Sequence, residues 1–233
     1  MRSQKGGNDM IMDLQRFGGR GAGGGESLGG GSGKPINIIS ETDVWSYRHN
    51  PNNAPFVDEI NTSVRDIQND FPEIMSTAEY VMAAEMGGAD AVGTLGYFST
   101  DSHTVALNTR YTDIDRMNSI YDKGGDYHPS RGDKSAVQAV AYHEMGHAVN
   151  QQIAERMGTD LDTAAKNIVD NAYKNAGGKG GTKKWAGKIS GYAQDSNAEC
   201  IAEAMCDYYC NGSKASSQSK AIVSELKKVY KGG

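Results

Sequence analysis

The segment His143-Glu144-Met145-Gly146-His147 lies inside residues 134–157, a stretch that reads as one long helix, apolar around the motif. Residues four apart on a helix share a face, offset by roughly 40°. His143 and His147 therefore point their imidazoles toward one locus, and Glu144 stands one position on. A chain that carries such a helix has to bring a second element to that face if the locus is to be completed.

Two neutral imidazole nitrogens aimed at one point, with a carboxylate beside them, are the makings of a zinc site with a base next to a bound water. A catalytic site of this kind has three protein ligands and one open position. The third ligand has to come from elsewhere in the chain. The best source is residues 197–210, read as a helix, on which Glu199, Glu203 and Asp207 repeat at a spacing of four and lie along one stripe. Acidic groups flanked by Ala, Ile, Met and Cys are costly unless paired or metal-bound. Ser196-x-x-Glu199 also fits a helix capping box. Spacing alone leaves Glu199 open between ligand and cap.

Tyr192-Ala193-Gln194-Asp195-Ser196-Asn197-Ala198-Glu199-Cys200-Ile201-Ala202-Glu203-Ala204, taken with His143-Glu144-Met145-Gly146-His147, resembles the catalytic domain of the anthrax lethal factor family of zincins. In that family a Tyr stands seven residues before the ligand Glu, and Ala-Glu-Ala follows. Tyr192, Glu199 and Ala202-Glu203-Ala204 match, whereas Asn197 stands one place later than the family's Asn. The resemblance implies a gluzincin-like metallopeptidase: one Zn²⁺ on His143, His147 and Glu199, Glu144 as general base, Tyr192 as a hydroxyl donor to the transition state, and Glu203 as a partner behind the ligands. The substrate it implies is a protein or peptide. The strand Thr104, Val105, Ala106, Leu107 and Asn108 is expected to bind that substrate edge to edge. His103 and His128 read as surface residues.

The remaining sequence organises around this centre. Residues 1–33 hold 12 glycines. They cannot bury enough apolar surface to offset their ordering entropy, so residues 1–35 read as a flexible tail and 36–233 as the zincin-like domain. Residues 11–17 interrupt the tail and read as a docking peptide. The run Met12-Asp13-Leu14-Gln15-Arg16-Phe17-Gly18-Gly19-Arg20-Gly21 looks like tails of bacteriophage head-associated proteins. Phage head proteins are accordingly candidate partners. Ile36-Asn37-Ile38-Ile39 reads as a short strand and residues 64–86 as a helix, broken near Pro72 and ended by Gly87-Gly88. Residues 94–99 and 104–108 read as a hairpin turning at Asp101-Ser102, with an alternating second strand. A helix over 160–176, a loop over 177–181 and a final helix capped by Ser216 or Ser217 complete an α+β chain. In that fold a small hairpin packs on the active-site helix, beside a second, ligand-bearing helix.

Composition narrows the function classes. Net charge is −5, the pI is about 5.5, and no long basic run is present, so nucleic acid is not the indicated partner. Lys174, Lys179, Lys183, Lys184 and Lys188 gather in one Gly-rich stretch that reads as a solvated loop. Cys200, Cys206 and Cys210 are too few and too close for a disulfide framework and read as buried thiols. No apolar run approaches the ~20 residues of a membrane span, and no signal-peptide core is evident. The expected location is the cytoplasm of a bacterial host or a virion. Two other readings stay open on the sequence. One is a non-catalytic, zinc-stabilised phage structural or interaction protein, for instance with His143, His147, Cys206 and Cys210 as ligands. The other is an effector delivered into another cell.

Overall fold

The computed structural model describes residues 54–78, 80–84 and 94–232. The Gly-rich tail, the strand at Ile36-Asn37-Ile38-Ile39 and the Gly87-Gly88 stop lie outside these residues. Within them the chain is α+β. Helix α1 (Ala54–Asp70) leads to strand β1 (Tyr80–Ala84), β2 (Gly96–Ser99) and β3 (Thr104–Asn108). Helices α2 (Ile114–Asp122), α3 (Ala136–Met157), α4 (Leu161–Asn175), α5 (Thr182–Ala186), α6 (Asn197–Asn211) and α7 (Ser217–Tyr230) follow. No helix among the described residues is long and apolar enough to cross a membrane.

Helix α3 is the axis of the core. Ser135 caps it, accepting from the Gln138 backbone while the Gln138 side chain accepts from the Ser135 backbone. Every residue from Ala136 to Asn150 is buried. A helix buried on all faces needs partners on all faces. Here α1, β2 and β3, α4 and α6 supply them, and α6 packs on it most extensively.

The residues of α1 explain its place. Phe56, Ile60, Val64, Ile67 and Phe71 recur at helical spacing and are all fully buried. The helix ends at Asp70 because Pro72 disfavours helical backbone at Phe71. This corrects the reading of a helix over 64–86. That helix starts earlier, at Ala54, and the later part of the segment is a 3₁₀ turn (Ile74–Ser76) followed by strand β1. Met75, Ala78 and Val81 fit a helical stripe, but beyond the proline Tyr80 and Val81 favour a strand, and β3 offers a parallel partner.

Strand β3 is the middle of a three-stranded sheet of order β1-β3-β2, parallel to β1 and antiparallel to β2. All five of its residues are buried, so it does not alternate. It is not an edge either, and the expectation that Thr104, Val105, Ala106, Leu107 and Asn108 would receive a substrate strand is overturned: both sides of its ladder are taken. Among the described strands β2 has the open edge on the hairpin side, and its burial does alternate.

Candidate metal centre

Three atoms converge in the core. His143 Nε2 lies 3.2 Å from His147 Nε2, and Glu199 Oε2 lies 3.3 Å from the first and 3.4 Å from the second. The histidines face inward from α3 and Glu199 comes from the first turn of α6. A tetrahedral ion with ligand bonds of about 2.0–2.1 Å separates its ligand atoms by about 3.3–3.4 Å. The triangle has that size. Glu199 Oε2 is buried, and the polar groups it faces are the two imidazole nitrogens. The donor set, two imidazoles and a carboxylate, is one that zinc takes. Another grouping, His143, Glu144 and His147, also brings its ligand atoms within 4.8 Å. The Glu199 triangle has edges of 3.2–3.4 Å.

The Glu199 side chain does not close a capping box. Ser196 caps α6, its hydroxyl accepting from the Glu199 backbone at 3.0 Å. The Glu199 side chain does not return to the cap but turns inward to the histidines and the Tyr192 hydroxyl. Burial raises its pKa, and the two imidazoles outweigh that and hold it well below the usual carboxylate range.

The two helices of the triangle approach closely because of Gly146. A Cβ there would meet the Cα of Ala202 at 2.8 Å and the Cβ of Met205 at 3.2 Å. We expect Gly146→Ala to push α6 away, costing about 1–3 kcal/mol as overpacking does and weakening the hold on any metal bound at the triangle. Thermal unfolding with and without chelator measures both effects.

Glu203 organises the histidine side. His143 Nδ1 lies 2.8 Å from its Oε1, His128 Nδ1 lies 3.3 Å from the same oxygen, and the Ser190 hydroxyl donates to Oε2 at 2.6 Å. Burial raises the Glu203 pKa, but hydrogen bonds from His128 and His143 hold it down at about 2. A carboxylate on Nδ1 assigns the proton to that nitrogen and turns the lone pair of His143 Nε2 toward the triangle. Ser190 also accepts from the Ala193 backbone at 3.0 Å, which ties down the 3₁₀ turn Tyr192–Gln194. Tyr192 thereby stacks on His143, with ring centroids 5.9 Å apart and planes 13° apart. His128 is buried, which corrects its reading as a surface residue.

Glu144 is fully buried and neither carboxylate oxygen has a hydrogen-bond partner. Burial pushes its pKa up to about 7, against the pull of His143 and His147. Strand β2 passes directly over it. A Cβ on Gly96 would meet Val140 Cγ1 at 2.8 Å and Glu144 Cγ at 3.2 Å, so glycine lets the strand lie against the helix. Tyr97, half-buried, is near enough that after burial the charge of Glu144 raises its pKa. Nothing in the sequence marks Tyr97, His128 or Ser190 for this centre. None falls in a motif, and only the packing of β2 and of the turn before Tyr192 brings them in.

Asp207 does not join the site. It accepts from the Ser216 backbone and the Ser219 hydroxyl at 2.9 and 2.7 Å, fastening the start of α7. Cys206 lies 3.5 Å from the Tyr121 hydroxyl, and among the described residues neither it nor Cys210 belongs to a metal-sized cluster. His103 is part-buried beside Gln151. The lysines of the Gly-rich stretch are exposed. No known protein family, curated protein or solved structure matches the chain.

Proposed function

We propose that the chain is a zinc-dependent peptidase that hydrolyses peptide bonds, with Glu144 as general base. One observation carries this reading: a zinc-sized triangle of His143, His147 and Glu199 beside a buried carboxylate that has no hydrogen-bond partner. The match of Tyr192 and Glu199 to the lethal-factor pattern supports the same reading. Zinc held there would polarise the scissile carbonyl and lower the pKa of a water toward ~7.

The residues of the chain do the rest. Glu144 takes the proton of the attacking water and passes it to the leaving amine. Tyr192 keeps its proton, because burial and the charge of Glu199 raise its pKa, so its hydroxyl can donate to the developing oxyanion. Glu203 holds His143 in the tautomer that leaves Nε2 facing the triangle. The outer edge of β2 receives the substrate backbone as an added strand and delivers it over Glu144.

Zinc analysis of the full chain, with a mixed peptide library as substrate, tests the reading. We expect one zinc per chain, cleavage that stops on chelation, and recovery when zinc is restored. At about 1,000 times its Kd, zinc should stabilise the fold by about 4.1 kcal/mol. A chain without stoichiometric zinc would sink the assignment.

A further inference from the structure

We propose that His128 is a positioning residue that couples the two halves of the centre: through Glu203 it orients the ligand His143, and through its ring it holds Tyr192 in place. What those two residues do rests on the zinc-peptidase reading; the coupling itself rests on the packing around His128.

A local rule delivers His128 to the core. It precedes Pro129, which disfavours helical backbone at the residue before it. It is accordingly extended, with φ −114° and ψ 159°, and ends the 3₁₀ turn Gly125–Tyr127. That turn is fastened to the one that carries Tyr192. The Gly191 backbone donates to the Asp126 carbonyl at 2.9 Å, and the Tyr127 hydroxyl donates to Asp195 at 3.3 Å. A Cβ on Gly191 would meet the Cα of Tyr127 at 3.4 Å, so the two backbones lie against each other.

The polar side of His128 serves Glu203. Its Nδ1 lies 3.3 Å from Glu203 Oε1, the same oxygen that His143 Nδ1 approaches to 2.8 Å. Ser190 holds the other oxygen. Removing His128 therefore takes away the donor that fixes Oε1 independently of the ligand it orients, and a carboxylate behind a ligand matters through its orientation.

The ring of His128 serves Tyr192. The Tyr192 ring stacks on Tyr127, with centroids 5.2 Å apart, as well as on His143, and His128 meets it at 5.7 Å and 79°. His128 is itself held: Tyr121 stacks on it at 5.4 Å and 29°, and the Tyr121 hydroxyl donates to the Pro129 carbonyl at 3.0 Å. Aromatic pairs at these separations prefer particular geometries, so a displaced imidazole displaces the phenol. One side chain thus touches both the carboxylate behind the ligand and the hydroxyl donor.

Two variants of the full chain take these contacts apart. His128→Phe keeps a ring and removes the donor, whereas His128→Asn keeps a donor at the δ position and removes the ring. Zinc affinity, read by chelator competition, should fall about tenfold in His128→Phe and stay near wild type in His128→Asn. The loss in His128→Phe should vanish when Glu203→Gln is already present. In zinc-loaded His128→Asn, kcat should fall about tenfold with KM unchanged, since a displaced hydroxyl donor acts on the transition state. On top of Tyr192→Phe the same change should cost nothing more. Tyr192 ring signals in NMR need no substrate, and they should move more in His128→Asn than in His128→Phe. Wild-type zinc affinity in His128→Phe, equal zinc loss in both variants, or wild-type kcat in zinc-loaded His128→Asn overturns the proposal and leaves the peptidase reading standing. Zinc affinities and Tyr192 signals that change as expected in a chain that cleaves no peptide keep the coupling and remove the peptidase reading instead. Should neither variant fold, NMR of the wild-type imidazole nitrogens decides: a proton on His128 Nδ1 supports the coupling, and a bare Nδ1 overturns it.

Discussion

Glu144→Gln is expected to lower peptide hydrolysis by about 10²–10⁴-fold while zinc content stays at one per chain. The substitution keeps the shape of the side chain and removes its ability to accept a proton. Glu144 is suited to that role by its surroundings. It is completely buried, it has no hydrogen-bond partner to hold its charge, and burial lifts its pKa to about 7. A base that titrates near neutrality both accepts a proton from water and gives it up to a leaving amine. Its oxygens are outside the His143, His147 and Glu199 triangle, so the metal should remain. Steady-state kcat and zinc analysis on the same preparation separate the alternatives. Unchanged cleavage would exclude Glu144 as the base, and loss of zinc would make it a ligand.

Glu199→Ala and Ser196→Ala should fail in different ways. Glu199 supplies the third corner of the triangle, and its loss should weaken zinc binding by more than the roughly 10–100-fold that follows loss of a residue behind the ligands. The stabilisation of the fold by zinc should shrink with it. Ser196 only caps α6, so its replacement should cost about 1 kcal/mol with or without zinc. Thermal unfolding of both variants, with zinc and with chelator, reads this directly. If both lose the same stability and neither loses zinc, Glu199 belongs to the helix terminus and not to the metal centre.

Much of the centre is legible in the sequence. His143, Glu144 and His147 are fixed relative to one another by one helical turn, which is a local property of the chain. Glu199 and Tyr192 are legible through a pattern, but spacing does not separate the capping box from the ligand, because a glutamate at this position suits either. Only the path of the side chain decides. The α+β arrangement and most helix starts also follow from local signals: Ser135, Asp160, Ser196 and Ser216 each cap where a helix begins.

What the sequence misplaces has a single cause. Its apolar spacing resumes the helix beyond the break near Pro72, where the chain forms a 3₁₀ turn and β1 instead. Its hairpin pattern makes an edge of β3, which lies in the middle of the sheet. It reads His128 as a surface residue, though the ring is buried against Glu203. Each of these depends on a partner distant in sequence: β3 for β1, β1 for β3, and α6 for His128. Periodicity reports which face of a segment is apolar, and not which neighbour will cover it. The order of strands in a sheet is therefore decided by contacts that no window of the sequence contains.

The contact of Gly146 with Ala202 also fixes an order of events. The histidines and Glu199 sit on helices that the chain separates by all of α4 and α5. Their meeting is a non-local contact, reached only after loop closure has been overcome. A nascent chain presents the two histidines well before residue 199 has been synthesised, and at that stage they form half a site. The core around α3 is built from apolar side chains drawn from several helices and the sheet, in contrast to small zinc modules that fold around their metal. On the proposed zinc reading, the expected order of assembly is core first and ion second, with a folded apo chain taking up the metal.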